Sequence, residues 1–390
     1  MKKTGILTMY YNSVNYGGLL QAFALPFVIQ KHIGIPAEQI RYPQQNTDTD
    51  LCTSKSKKSL SIYQLGINFF SALTSNNRSI RKESVLEFKN DIPHSRNIYS
   101  HETIQQCNSN YEIFICGGDQ IWNGEMIGED LDVYTLQFVN QGQKKISYSP
   151  SVAILHMSKQ VEDCLGKGLL GIDSISVREK SSLDILKRLS DKKIEVVVDP
   201  VLLLNKSEWL EQSRPTKING KYILCYLLGD SITQRKAVEI ISKRLKLRIV
   251  TFPHIVNNVV RKCDLFFGDI KDYTSGPRQF LDLINNAELV ITDSFHACVF
   301  SMIFETPFMV FERNKIGEKE NMNSRIYDFL EEYHLERQLV TEKELTAMKE
   351  IPKIDFTDAH KHWKIRREES LGYLENALKD NLSGHNSEDN

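Results

Sequence analysis

One continuous stretch, ELVITDSFHACVFSMIFETPFMVFER at residues 288–313, limits what this chain can fold into. Leu289–Ile291 is a short apolar run typical of a buried strand, and the three residues after it carry side chains that cap helices. Apolar residues then recur at helical spacing until Pro307, after which Phe308–Phe311 predicts another strand. Strand, helix and strand in this order indicate an α/β fold with a parallel sheet.

His296 falls in the first turn of the predicted helix, directly after a parallel strand. Ligands bind at that edge of open α/β sheets, and the free N–H groups of a helix start favour phosphate or carboxylate. Arg313 and Lys315 lie just past the next strand, so we expect them near the same edge. The alternative is that His296 is a core histidine and that Asp293 or Ser294 only caps the helix.

Composition excludes several classes of protein. A chain of 390 residues is too long for one ordinary core, which predicts two domains. A net charge of -1 excludes a general basic surface for nucleic acid. The seven cysteines form no C-x-x-C pair or metal-like cluster, which predicts free thiols, no metal and a reducing compartment. No signal peptide or membrane-spanning run is apparent, so we expect a cytoplasmic protein.

The order of predicted elements divides the chain. A first strand–helix series occupies residues 1–212, and a second occupies 213–355, starting with the linker SRPTKING. Residues 356–390 predict a long helix that packs back on the first domain, followed by a polar tail. We therefore expect two Rossmann-like domains facing across a cleft. Within them, a helix at Ser79–Asp91 is expected to cover the first domain, and Asp264–Phe267 is expected to form a strand.

Glycines follow the first strand, which is predicted at Thr4–Met9. Asn15, Tyr16, Gly17 and Gly18 come next and open a helix, but without the spacing of the dinucleotide fingerprint or the P-loop. Neither cofactor is therefore predicted. The glycines either let backbone approach a ligand or simply make a tight turn.

A second glycine pair, Gly117-Gly118, follows a predicted strand at Tyr111–Cys116. The cluster after it offers an aromatic face for sugar C–H groups and amides and a carboxylate for hydroxyls; its residues are Asp119, Gln120, Trp122 and Asn123. These residue types suit a sugar acceptor. Trp122 is equally compatible with a place at a domain interface.

Arg178 occupies a position like that of His296, at the carboxyl end of a strand and the start of a helix. A cation there opposes the helix dipole, and a residue that works against its local preference is a candidate for function. The alternative is a surface ion pair with Glu179 or Asp199.

Seven sequence blocks, in this order, resemble those of the polysaccharide pyruvyl transferase family: NYGGLLQAFAL, GGDQIWN, SYSPSVA, SVREKS, VVDPVLLL, GPRQFLDLINNAELVITDSFHACVFSMIFETPF and NSRIYDFL. Together they span nearly the whole chain. The resemblance implies a fold similar to GT-B glycosyltransferases. It also implies transfer of pyruvate from phosphoenolpyruvate, the donor substrate, onto a sugar as a ketal, without a cofactor.

The resemblance also implies roles for individual residues. Several family members carry Arg-x-His where this chain has Ser294-Phe295-His296, so the histidine carries over and the arginine has no counterpart. Arg178 matches the arginine of the family's earlier V-R block. We accordingly expect His296 and Asp293 in catalysis, and donor contacts from Arg178, Ser294, Arg313, Lys315 and Arg325. Acceptor contacts are expected from Asn15, Tyr16, Gly17, Asp119, Gln120, Trp122 and Asn123.

The expected acceptor belongs to a cell-surface or capsular polysaccharide precursor. It is either a sugar or a lipid-linked oligosaccharide, and the latter would bring the protein transiently to a membrane surface. Two other functions fit the same sequence. One is a GT-B glycosyltransferase that uses a nucleotide sugar, and the other is a non-catalytic carbohydrate-binding relative, which the departure at Ser294 would suit.

Overall fold

The computed structural model describes residues 3–43, 75–154, 157–256, 259–313 and 323–379. The chain separates into two compact units. The first unit contains Met1–Thr47, Asn90–Leu204 and Lys361–Asn390, and the second contains Asp48–Lys89 and Asn205–His360. Lys315 lies outside the described residues.

The strands, in chain order, are short and mostly apolar. They are β1 (Thr4–Leu7), β2 (Ala37–Arg41), β3 (His94–Ile98), β4 (Ile113–Gly117), β5 (Lys144–Tyr148), β6 (Ile175–Val177), β7 (Ile194–Val196), β8 (Tyr222–Tyr226), β9 (Arg248–Thr251), β10 (Ile255–Val256), β11 (Val259–Val260), β12 (Ile270–Lys271), β13 (Leu289–Thr292) and β14 (Phe308–Val310).

The helices surround these strands. They are α1 (Tyr16–Val28), α2 (Ser75–Asp91), α3 (Gly124–Ile127), α4 (Leu131–Tyr134), α5 (Lys159–Gly171), α6 (Lys180–Leu186), α7 (Lys206–Gln212), α8 (Ile232–Leu245), α9 (Lys262–Leu265), α10 (Pro277–Asn285), α11 (Phe295–Phe304), α12 (Ser324–Glu332), α13 (Glu342–Ala347) and α14 (Thr357–Lys379). Short 3₁₀ turns at Ile104–Asn110, Gly128–Asp130, Pro200–Leu203 and Glu336–Gln338 connect some of them.

The first unit is built on a parallel sheet with the strand order β3-β2-β1-β4-β5. The chain moves outward from β1 to β3 and then returns to the other side of β1, so the order reverses between β1 and β4. Ile115 on β4 lies opposite Ile6 and Ile146 on its two neighbouring strands, and all three side chains are fully buried. A parallel sheet covered on both faces explains why these strands are almost continuously apolar.

The second unit repeats this plan with the order β12-β9-β8-β13-β14, so its reversal lies between β8 and β13. Ile291 on β13 pairs with Cys225 and Met309, again within the core. The prediction of an α/β fold with two Rossmann-like parallel sheets is confirmed. In such sheets the reversal point opens a crevice at the carboxyl ends of the strands, where ligands bind.

Helix α2 contacts the second unit, so the expectation that it covers the first domain is wrong. The Arg81 guanidinium donates to the carbonyls of Pro253 (3.2 Å) and Asp272. A Cβ placed on Gly276 would lie 2.8 Å from Cβ of Ser84 and 3.1 Å from its carbonyl carbon, so only glycine permits this close approach. These anchors are far apart in sequence, and periodicity within the helix could not reveal them.

Helix α14 belongs to the first unit from Lys361 onward and contacts it there. The Trp363 indole N–H donates to the carbonyl of Leu202 at 2.8 Å, and the Tyr373 hydroxyl donates to the carbonyl of Ser147 at 2.9 Å. Ser370 accepts a bond from the amide of Val198 at 3.0 Å. This single helix therefore connects β5 with the segment that follows β7.

The expected strand at Asp264–Phe267 is wrong, because the helical turn α9 covers Lys262–Leu265. The amide of Asp264 donates to the carbonyl of Arg261, and its carboxylate is buried between two arginines. An apolar run of three residues favoured a strand, but a buried carboxylate held by charge decided the local structure.

Candidate active site

The reversal point of the first unit begins with the amino end of α1. Asn15 caps this helix, since its side-chain oxygen accepts a bond from the amide of Gly18 at 3.2 Å. Tyr16 is buried in the first turn and Gly17 follows it. The predicted acceptor residues Asn15, Tyr16 and Gly17 therefore all lie where a helix start meets the carboxyl edge of the sheet.

The loop after β4 packs directly against α1. A Cβ on Gly118, whose φ is +74°, would lie 1.8 Å from the side-chain oxygen of Gln21 on α1. Asp119 follows with a left-handed φ of +50°. A Cβ on Gly18 would be only 3.5 Å from the Asp119 carboxylate. The structure thus brings Asp119 to the predicted acceptor residues at the start of α1.

The other residues of this loop face inward. Trp122 is 0% exposed, and its indole N–H donates to the carbonyl of Tyr134 at 3.1 Å. Asn123 caps α3 by accepting from the amide of Met126 and donates to Gln120 at 3.2 Å. Because Trp122 belongs to the core of the first unit, neither a ring stacked on a sugar nor a place at a domain interface fits this structure.

Arg178 lies just beyond β6 and is 5% exposed. Its Nε donates to Glu179 and its Nη1 to Asp199, both at 2.9 Å. Burial alone would lower the pKa of Arg178, but the carboxylates of Glu179, Asp199 and Asp119 raise it above the ordinary value. The ion pairs of Arg178 with Glu179 and Asp199 are therefore formed, but they are buried and do not lie on the surface. Asp119 is close enough for its carboxylate to act on the same guanidinium.

In the second unit, Asp293 directly follows β13 and is fully buried. Its carboxylate oxygens accept from the amides of Leu228 (2.7 Å) and Gly229 (2.6 Å), in the loop after β8. The Arg313 guanidinium donates to the backbone carbonyl of Asp293 at 2.9 Å. This geometry joins the carboxyl ends of β8 and β13, and it uses both carboxylate oxygens in doing so.

Helix α11 starts just after Asp293. Ser294 precedes its first turn, and the amide of Ser294 donates to the hydroxyl of Thr292 at 3.0 Å. His296 lies in the first turn, is 7% exposed, and packs edge-on against the ring of Phe295 at 5.2 Å between centroids. Every residue of α11 is buried, so packing contacts fix the position of this helix.

The basic residues predicted after this helix are placed differently from one another. Arg313 contacts Asp293 as described, and its own amide donates to the side chain of Asn323 at 2.9 Å. Arg325 is buried in the first turn of α12, a helix that packs on α11 through Phe329 and Phe295 at 5.8 Å. The structure therefore groups Arg313 with Asp293 and places Arg325 on the helix that packs against α11.

Sequence reasoning missed three charged residues near the loop that follows β8, namely Arg235, Arg261 and Asp264. Arg235 and Arg261 both bind the carboxylate of Asp264, at 2.6 Å and 3.0 Å. Arg261 also donates to the carbonyl of Leu228 at 2.6 Å. Arg235 lies in the first turn of α8, against the helix dipole, so the argument used for Arg178 could have found it.

Within residues 3–43, 75–154, 157–256, 259–313 and 323–379, no three His, Cys, Asp or Glu side chains are grouped to hold a metal ion. Over the same part of the chain, no helix has the length and apolar character needed to cross a membrane.

Solved structures show the type of fold. A putative UDP-N-acetylglucosamine 2-epimerase from Listeria monocytogenes is 12% identical with a TM-score of 0.50, over 97% of this chain and 96% of that one. The UDP-GlcNAc 2-epimerase from Neisseria meningitidis, bound to UDP-GlcNAc, is 11% identical over 98% of both chains with a TM-score of 0.46. A UDP-glucosyltransferase from Polygonum tinctorium is 9% identical over 97% and 98%, with a TM-score of 0.45. The chain thus has the GT-B type of α/β fold.

The family follows from the sequence match. The family model for polysaccharide pyruvyl transferase matches residues 15–315, and the chain belongs to that family. Membership supports a transferase that acts in polysaccharide biosynthesis. No curated protein matches the chain.

Proposed function

We propose that the protein transfers pyruvate from phosphoenolpyruvate onto two hydroxyls of a sugar in a cell-surface or capsular polysaccharide precursor, forming a ketal. The observation that carries the proposal is the position of His296, in the first turn of α11 at the reversal point of the second sheet. It is the residue that matches the family's histidine, in a chain whose family match extends over residues 15–315.

The reaction needs a proton donor and a site for anions. A proton is delivered to the vinyl carbon of the donor, and a sugar hydroxyl attacks C2 and loses its proton. The C2–O bond to phosphate breaks, phosphate leaves, and a second hydroxyl closes the ring as it loses its proton. His296 acts as the general acid and base, because an imidazole exchanges protons near neutral pH.

The helix start around His296 supplies part of the anion site. The first amides of α11 carry partial positive charge, and Arg313 adds a guanidinium beside Asp293. Ser294 stands in the position of the family's arginine and offers a hydroxyl there. Arg178 and Arg325 remain proposed donor residues. Asp293 is proposed to position this group of residues, since its carboxylate is engaged by two amides.

Asp119 and the helix start at Asn15–Gly17 are proposed to bind the acceptor, whose hydroxyls suit a carboxylate and backbone amides. A lipid-linked acceptor would bring the enzyme to a membrane surface during turnover. We place the reaction in the cytoplasm, in keeping with the free thiols of all six cysteines that lie in the described residues.

Thermal unfolding with phosphoenolpyruvate, UDP and GDP in parallel tests the proposal. A ligand at a hundred times its dissociation constant stabilises the folded protein by about 2.7 kcal/mol. We expect a shift with phosphoenolpyruvate and none with either nucleotide, and phosphate release once a suitable sugar acceptor is added. Stabilisation by a nucleotide alone would favour glycosyl transfer. Acceptor binding without phosphate release would favour a non-catalytic relative.

A further inference from the structure

The loop that follows β8 is fixed from two opposite sides. Its amides at Leu228 and Gly229 donate to the carboxylate of Asp293, which is three residues before His296. Its carbonyls accept from arginines instead. Arg261 donates from Nη1 to Leu228 (2.6 Å) and from Nη2 to Leu227 (3.1 Å). The loop therefore has a carboxylate against its donors and a guanidinium against its acceptors.

A second arginine completes this arrangement. The Arg235 Nη2 atom donates to the carbonyl of Gly229 at 3.0 Å, and its Nη1 atom donates to Ser231 at 3.1 Å. Both arginines are oriented by one carboxylate, that of Asp264. One oxygen of Asp264 accepts from Nε of Arg235 at 3.0 Å, and the other accepts from Nε of Arg261 at 3.0 Å.

We propose that Arg261 is a positioning residue for the His296 site, acting through the loop Leu227–Gly229 and the carboxylate of Asp293. Asp264 orients the guanidinium of Arg261, and Arg235 contacts the same loop at Gly229. None of these residues needs to touch substrate. If the loop moves, the amides leave the Asp293 carboxylate, and the turn from β13 into α11 loses the contact that sets its position. The catalytic part of this proposal rests on the proposed function.

The contacts of Arg261 require an arginine. Its guanidinium donates to two carbonyls and a carboxylate from three different nitrogens, which uses the fixed fork of that side chain. A lysine carries the charge but has a single nitrogen, which cannot span the two carbonyls and Asp264 together. Arg261→Lys should therefore retain the charge and the fold while it loosens the loop, and Arg261→Gln removes the charge as well.

Arg244 provides a matched control. It lies in the last turn of α8 and also donates to two backbone carbonyls of the second unit, those of Met348 (2.7 Å) and Thr346. Those carbonyls have no connection with the loop after β8. Arg244→Lys thus removes the same kind of contact at a place that the proposal does not involve.

The experiment measures two quantities on the full chain: amide hydrogen exchange, and steady-state phosphate release with phosphoenolpyruvate and a sugar acceptor that supports release by the wild type. We expect Arg261→Lys to speed exchange at Leu228 and Gly229 at least about tenfold, with exchange in the β8 core unchanged. We expect kcat to fall by about tenfold while KM for the donor stays near that of the wild type, since donor contacts remain. Arg244→Lys should change neither.

Two results would overturn the proposal. One is unchanged exchange at Leu228 and Gly229 in a folded Arg261→Lys protein. The other is faster exchange there with undiminished kcat, because the loop would then be irrelevant to turnover. If the wild type releases no phosphate from phosphoenolpyruvate with any sugar acceptor, the proposed function fails. The exchange measurement still decides whether Arg261 holds the loop to Asp293.

Discussion

The two reversal points of this molecule are built by different means. In the first unit, glycines let backbone and side chains approach closely, as where Gly118 meets Gln21. In the second unit, no glycine lies in the first turn of α11. The Asp293 carboxylate instead fixes the loop after β8 by accepting hydrogen bonds from two of its amides. The close glycine approach of the first edge recurs at the second, where a Cβ on Gly229 would lie 2.9 Å from Oδ2 of Asp293, but there the carboxylate also accepts two hydrogen bonds from the loop.

The two edges also differ in the sign of the charge that they bury. Arg178 in the first unit is a cation held by two carboxylates, whereas Asp293 in the second is an anion held by two amides. Removing Arg178 leaves two buried anions without their cation, while removing the charge of Asp293 leaves two neutral donors and the partly exposed guanidinium of Arg313, whose Nε lies 3.8 Å from that carboxylate. The first loss should be the more costly.

The largest expected effect is on turnover, at the second edge. His296→Asn keeps a polar side chain of similar size but removes the group that exchanges protons. We expect turnover to fall by about 10²- to 10⁴-fold with the melting temperature nearly unchanged. The control is His334→Asn, an exposed histidine that pairs with Asp358 at 2.6 Å and should retain turnover. Full activity in a folded His296→Asn protein would remove this histidine from the mechanism.

Arg178→Ala should destabilise the first unit strongly. It leaves Glu179 and Asp199 buried without their partner, which costs about 3–5 kcal/mol of unfolding free energy. Denaturant unfolding followed by circular dichroism measures this. A second variant, Arg178→Met with Glu179→Gln, should recover part of the loss because it removes an uncompensated charge. If Arg178→Ala lowered the unfolding free energy by less than an ordinary surface substitution does, the ion pairs of Arg178 with Glu179 and Asp199 would not be formed in solution.

Asp293→Asn should have a smaller effect on stability. One amide of the loop keeps an oxygen acceptor, while the other faces an NH₂ group, so the expected loss is about 1.5–3 kcal/mol. The same denaturant experiment applies, and the comparison with Arg178→Ala is the informative quantity. A larger loss of stability for Asp293→Asn than for Arg178→Ala would show that the second edge depends more on its buried charge than the first edge does.

The steric character of the first edge is tested by Gly117→Ala. The added Cβ would lie 2.0 Å from the backbone oxygen of Tyr148, which cannot rotate away, so we expect a loss of about 1–3 kcal/mol. Gly372→Ala on α14 is the control, since a Cβ there meets nothing within 4 Å. That variant should gain about 0.5–1 kcal/mol from helix propensity. Equal behaviour of the two variants would contradict the close packing of β4 on β5.

The smallest difference is expected between two thiols on strands that border the two reversal points, Cys116 on β4 and Cys225 on β8. Burial raises the pKa of both thiols, so little thiolate is present at pH 8 and alkylation should be slow for both. Mass spectrometry after iodoacetamide treatment of the native protein measures each site. Rapid labelling of one thiol alone would show that its sheet opens locally while the other stays closed.

Local patterns were sufficient for much of this fold. The apolar run, capping residues and Pro307 between Leu289 and Phe311 predicted β13, α11 and β14, and the structure has all three. His296 lies in the first turn of α11, where the helical spacing placed it. Such features depend on residues within one or two turns of each other, so the sequence carries them directly.

Patterns of the same kind failed where distant residues decide. Trp122 follows a polar loop and suggested a sugar contact, but Tyr134 and the core of the first unit enclose it. Asp264 starts an apolar run and suggested a strand, yet Arg235 and Arg261 bury its carboxylate in a helical turn. In each case the partner is a residue that no local pattern points to.

The sequence by itself determined the succession of strands and helices, the α/β class and the family, because spacing and ordered motifs are local or additive properties. Only the tertiary structure decided which charged residues are paired. Arg178 finds Asp199 across 21 residues, and Asp293 finds Leu228 across 65. Such pairs form because burying an unpartnered charge is costly, and the strand order determines which distant partner lies within reach.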